Sequence, residues 1–151
     1  MSGFKKKRVV YWKYEYRERD RPHILVAADP EMSQVLKLNL QSNWLVTLAE
    51  DMEQAHKLAS IVPPSRILID SSVANGSLLI ERLKRERETH CCPILWLARG
   101  VDVSEKGIKS GAQNSLIIGP VITEKDVELI NSSLRLLRND SFENLRLVGV
   151  D

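Results

Sequence analysis

Two carboxylates, Asp29 and Asp70, each close a short apolar run: Ile24-Leu25-Val26-Ala27-Ala28 before the first and Ile67-Leu68-Ile69 before the second. A carboxylate at the end of a buried strand can hold a hard cation, act as a nucleophile or cap nearby N–H groups. Pro30 follows Asp29, and proline suits the first position of a helix, so capping is the favoured reading for Asp29. His90-Cys91-Cys92 offers nitrogen and sulfur ligands, but His23 and His56 complete no metal-binding spacing with it. Adjacent cysteines are badly placed to bridge one another, and no Cys-x-x-Cys supports a redox role. The chain has neither a Gly-x-Ser-x-Gly nucleophile elbow nor a Gly-x-x-x-x-Gly-Lys phosphate loop, so no enzymatic activity is expected.

The elements that must position these groups can be read from periodicity. Short apolar runs alternate with amphipathic stretches from His23 onward. Strands are predicted over 24–28, 44–48, 66–70, 93–98 and 115–118; the first is an unbroken apolar run, as in a buried parallel strand. Helices are predicted from Pro30, over 50–62, 77–89, 103–112 and 123–138. Pro63-Pro64 stops the second helix, and Thr123 with Asp126 has the spacing of a capping box at the start of the last. Met32, Val35, Leu36, Leu38 and Leu40 supply the apolar side of the first helix; Leu78, Leu79, Ile80 and Leu83 that of the third. Five strands alternating with five helices imply an α/β fold, a doubly wound five-stranded parallel sheet. In a flavodoxin-like order 2-1-3-4-5 the first and third strands are neighbours at the switch point, where the carboxyl ends form the functional crevice. Asp29 and Asp70 would meet there.

Charge divides the chain. The first 22 of 151 residues carry eight basic and three acidic side chains, a net +5, whereas the remainder carries a net −3. We divide the chain into a basic aromatic arm (1–22), an α/β domain (23–139) and a tail or linker (140–151). In the arm, Lys5, Lys6, Lys7 and Arg8 precede an alternating stretch with Val10, Trp12, Tyr14 and Tyr16 on one face, the pattern of an extra strand. It would pair with the sheet edge or another chain, or bring its basic residues to nucleic acid or an acidic protein. No stretch reaches the roughly 18 apolar residues of a membrane span, and no secretory signal pattern opens the chain. With its two cysteines adjacent, a cytoplasmic location is expected.

The order of elements and their terminal residues resembles the receiver family of two-component response regulators over about residues 22–138. Ile24 to Asp29 resembles the first strand with its acidic end. Ile67-Leu68-Ile69-Asp70 resembles the third strand, with Asp70 in the phospho-acceptor position. Pro93-Ile94-Leu95-Trp96-Leu97-Ala98 resembles the fourth strand, and Gly111-Ala112 followed by Leu116-Ile117-Ile118-Gly119-Pro120 the turn and fifth strand. The departures fall on the residues that carry the family's chemistry. The acidic pair that holds Mg²⁺ is reduced to Asp29, because Ala28 stands at the other position. Ala98 stands where a Thr or Ser hydroxyl bonds the phosphoryl group, and Gly119 where a Lys neutralises it. Phosphoryl transfer rests on positioning and on neutralising charge, so Asp70 is expected to be a vestigial acceptor. Arg99 and Lys109 are the cations considered as substitutes.

The resemblance therefore implies a pseudo-receiver: a phosphorylation-independent protein–protein interaction module in signal transduction or transcriptional regulation, with no cofactor. Its partners would be signalling proteins. Self-association would run through the fourth helix, fifth strand and fifth helix, or through the N-terminal strand. Two alternatives stand beside it. One is a divergent true receiver, phosphorylated on Asp70 by a histidine kinase with Mg²⁺. The other is a nucleic-acid-binding regulator that uses the basic arm.

Overall fold

The structure is a computed structural model that describes residues 21–137. The predicted arm strand and the tail from Phe142 to Asp151 lie outside the described residues. In chain order the elements are β1 (His23–Ala27), α1 (Pro30–Leu40), β2 (Leu45–Ala49), α2 (Met52–Ile61), β3 (Arg66–Asp70), α3 (Gly76–Arg85), β4 (Ile94–Ala98), α4 (Val101–Ser110), β5 (Asn114–Ile117) and α5 (Glu124–Leu136). All strand pairs are parallel, in the order β2-β1-β3-β4-β5, the order expected from the sequence.

Strand alternation sends side chains to two cores. Leu25, Ala27, Ile67, Ile69, Ile94 and Trp96 face Ala55 and Ala59 of α2 and Leu79, Ile80 and Leu83 of α3. Ile24, Val26, Leu68, Leu95 and Leu97 face Leu36 and Leu40 of α1 and Ile130 and Leu134 of α5. Because β1, β3 and β4 are buried on both faces, they read as unbroken apolar runs.

Local chemistry sets the helix ends. Asp29 caps α1, its Oδ1 accepting from the Met32 N–H at 2.8 Å, with Pro30 opening the helix. Asp51 caps α2 through the Gln54 N–H, moving its start to Met52. Thr123 and Asp126 form the expected capping box of α5. The third helix is shorter than predicted and ends at Arg85. Buried Thr89 turns back and donates its Oγ1–H to the Leu83 carbonyl at 2.7 Å. Two apolar assignments are also corrected: Leu38 is 68% exposed and Leu78 50% exposed, because the helical turn of about 100° per residue carries each to the side of its helix away from the buried stripe.

Trp96 fixes α3 and α4 to the sheet. A Cβ on Gly76 would come within 2.8 Å of the indole, and one on Gly107 within 2.2 Å. The helices therefore lie so close to the ring that only a missing side chain fits. The indole Nε1–H donates to the Val103 carbonyl of α4 at 2.8 Å, so the buried ring has its polar partner.

Candidate functional site

The carboxyl ends of β1, β3 and β4 bring together the residues singled out in the sequence. Asp70 is the last residue of β3 and is fully buried. Burying a carboxylate is costly unless it is paired and hydrogen-bonded, and here both oxygens are engaged. Arg99, immediately after β4, donates Nη1–H to Oδ1 at 2.9 Å and Nη2–H to Oδ2 at 3.3 Å. The backbone N–H of Ser72 donates to Oδ2 at 2.9 Å. The forked guanidinium matches the carboxylate plane, a geometry a lysine cannot supply.

Ser72 links the two carboxylates. Its hydroxyl accepts from the Asp29 backbone N–H at 3.1 Å, while its own N–H holds Asp70. Asp29 lies beside Asp70 across the crevice, and its Oδ1 is turned into the α1 cap. Ala28 and Ala98 are both completely buried and present only methyl groups. Gly119 is exposed, and a Cβ there would meet nothing within 4 Å. The structure thus brings Asp29, Asp70, Ala28 and Ala98 to one end of the sheet. Of the two cations considered, Arg99 reaches Asp70. Lys109 does not: it sits in the last turn of α4, and a crossover helix running back along the sheet carries that turn to the opposite end.

These residues do not fit a Mg²⁺ ion. Mg²⁺ takes carboxylates from the protein and fills the rest of an octahedron with water and phosphate. Here one expected acid is alanine, the Asp29 Oδ1 is committed to a helix cap, and both Asp70 oxygens face a fixed cation and a backbone N–H. Among the described residues no group of three His, Cys, Asp or Glu side chains is placed to hold a metal. Neither Cys91 nor Cys92 is in a disulfide among the described residues; Cys92 donates its S–H to the Pro64 carbonyl at 3.3 Å, and burial pushes its pKa up.

Sequence reasoning missed Ser72 and Asp51. The signal for Ser72 was present, since an Asp side chain commonly accepts from the N–H two residues on. Arg99 was singled out, and its place directly after the predicted fourth strand, against that of Lys109 late in the predicted fourth helix, was the signal that separated the two.

A second region of interest is apolar. Ser104 of α4 and Ser115 of β5 approach to 2.6 Å through their Oγ atoms. Val101 and Ile108, three and four residues from Ser104, therefore flank β5. On α5, Asn131 accepts from the Trp44 indole at 3.2 Å, so Leu129 and Leu136 lie on the opposite flank, toward β5. Val101, Ile108, Ile117, Leu129 and Leu136 are 46–78% exposed. Together they line the α4–β5–α5 side of the molecule, where β5 pairs only with β4 among the described residues.

No protein-family profile matches the chain. Solved structures do. A chemotaxis response regulator of Vibrio cholerae superposes with a TM-score of 0.65 at 18% identity, covering 75% of this chain and 98% of that one. The receiver domain of a Francisella response regulator gives 0.63 at 23%, covering 76% and 98%. The receiver domain of a Pseudomonas aeruginosa sensor histidine kinase gives 0.64 at 21%, covering 76% and 97%, and holds a magnesium ion in its active-site cleft. At these identities the likeness establishes the fold: the chain has the receiver architecture. No helix among the described residues is long and apolar enough to cross a membrane.

Proposed function

We propose that this chain is a pseudo-receiver, a signalling module with the receiver fold that works by binding protein partners and not by accepting a phosphoryl group. The observation that carries this reading is the Arg99–Asp70 pair. A phospho-acceptor needs one oxygen free to attack and a metal to draw off charge. Asp70 instead has a guanidinium locked across both oxygens, and the neighbouring strand-end positions Ala28 and Ala98 offer neither a carboxylate nor a hydroxyl. The arginine takes over the charge-balancing task of the metal, so the module needs no cofactor and performs no catalysis.

The binding surface we assign is the α4–β5–α5 face. Its exposed apolar side chains have more to gain from burial than the polar surface around them. A second copy of the chain and other signalling proteins are the partners it would take.

Thermal unfolding in the presence of Mg²⁺ with beryllofluoride, a phosphoryl mimic, tests the loss of the switch. The midpoint is expected to be the same with and without the two reagents. A rise of several degrees, absent in Asp70→Ala, would establish a functional receiver pocket and refute this reading.

A further inference from the structure

The outer edge of β2 carries a different inference. β2 pairs only with β1 among the described residues. Its sequence, Leu45-Val46-Thr47-Leu48-Ala49, has no lysine, proline or other charge of the kind that guards exposed edges. The Leu45 N–H donates inward to the Pro22 carbonyl at 2.9 Å. Strand alternation therefore turns the N–H groups of Val46 and Leu48 outward. Beside this edge lies an apolar cavity of about 180 Å³, lined by His23, Leu25, Thr47, Leu58, Ile61 and Val62 among others. Ile61 and Val62 are 66% and 58% exposed, a large apolar surface for the end of a short helix.

The chain enters the fold at the same place. The Arg21 guanidinium donates to the Gln41 carbonyl at the end of α1, just before β2, and Pro22 extends the β1–β2 ladder. Preceding this point is the alternating stretch Arg8 to Arg17. The four links from Arg17 to Arg21 span up to about 14 Å, against about 10 Å for the two strand spacings from β1 to a position outside β2. A strand laid there would run antiparallel to β2, carrying its earliest residues to the carboxyl end. Glu50 and Asp51 are exposed at that end, opposite in charge to Lys5, Lys6, Lys7 and Arg8.

We propose that residues 8–17 of the same chain add to β2 as an antiparallel sixth strand. The face carrying Val10, Trp12, Tyr14 and Tyr16 covers the cavity and the Ile61–Val62 surface. The basic cluster that opens the arm meets Glu50 and Asp51.

Amide exchange read residue by residue on the full chain tests this. The Val46 and Leu48 amides are expected to exchange at least ten-fold faster when Trp12, Tyr14 and Tyr16 are all changed to Ser, with β3 unaffected. Unchanged exchange at both amides would overturn the proposal. So would protection that grows with protein concentration, which would assign the edge to a second copy. Val46→Pro provides an independent check, since it removes an outward N–H and keeps the inward donors of β2. Trp44 and Trp96 are buried, so acrylamide reports chiefly on Trp12. Quenching is expected to rise at least two-fold in Val46→Pro, and quenching equal to that of the unaltered chain would contradict the docked strand.

Discussion

A buried carboxylate and its arginine share one fate: either residue alone is worse than both or neither. Arg99→Ala leaves the fully buried Asp70 with only the Ser72 N–H. It is expected to destabilise the fold by about 1–3 kcal/mol in urea unfolding, below the largest values for buried pairs because Arg99 is itself 29% exposed. Asp70→Asn added to Arg99→Ala should recover part of the loss, and strict additivity of the two would contradict the pairing. His23 makes a second prediction at this scale. Its ring lies against Thr47, Nε2 to Oγ1 at 2.8 Å, and burial lowers its pKa from 6.5. Below 6.5 the unfolded chain then binds the proton more readily than the folded one, so stability rises with pH in that range. It is complete above that value and is lost as pH falls toward the depressed folded-state pKa. The melting temperature should drop between pH 7.5 and 5.5, and His23→Gln should flatten the drop. The positions of Asp29 and Asp70 were legible from where apolar runs stop. So was the choice of Arg99 over Lys109, since Arg99 directly follows the predicted fourth strand and Lys109 comes late in the predicted fourth helix; the Ser72 hydroxyl reaching the Asp29 N–H was not, because the two residues lie far apart in the chain.

Trp96 of β4 sets how closely α3 and α4 pack on the sheet. Gly107→Ala would force a methyl to within 2.2 Å of the indole. It is expected to cost about 1–3 kcal/mol through overpacking, with much of the loss recovered when Trp96→Leu is added; a loss that persists would place the strain elsewhere. Thr123→Ala removes the side-chain acceptor of the α5 cap and should cost about 1 kcal/mol, measured by the same unfolding curves. Strand identities and the capping box were legible because each rests on local chemistry. The end of α3 was not. Lys84-Arg85-Glu86-Arg87-Glu88 favours helix by propensity, and the tertiary bond from Thr89 to Leu83 overrides it. The exposure of Leu38 is likewise invisible to a count of apolar residues, since α1 buries Ser33, Leu36 and Leu40 instead.

At the scale of the molecule, five alternating strands and helices implied a doubly wound parallel sheet; the order 2-1-3-4-5 was one of the orders that this alternation allows. Composition alone does not say what the fold binds. If the α4–β5–α5 face joins copies of the chain, sedimentation should show a concentration-dependent dimer, and Ile117→Lys with Leu129→Lys should shift it to monomer; a dimer unaffected by both would move the interface elsewhere. The central claim, that Asp70 has been taken out of phosphoryl chemistry by Arg99, is tested most directly by intact mass. The full chain is incubated with acetyl phosphate and Mg²⁺ beside an Asp70→Ala control. The account predicts identical, unmodified masses for each protein before and after incubation. A phosphoryl adduct on the unaltered chain that is absent from Asp70→Ala would contradict it.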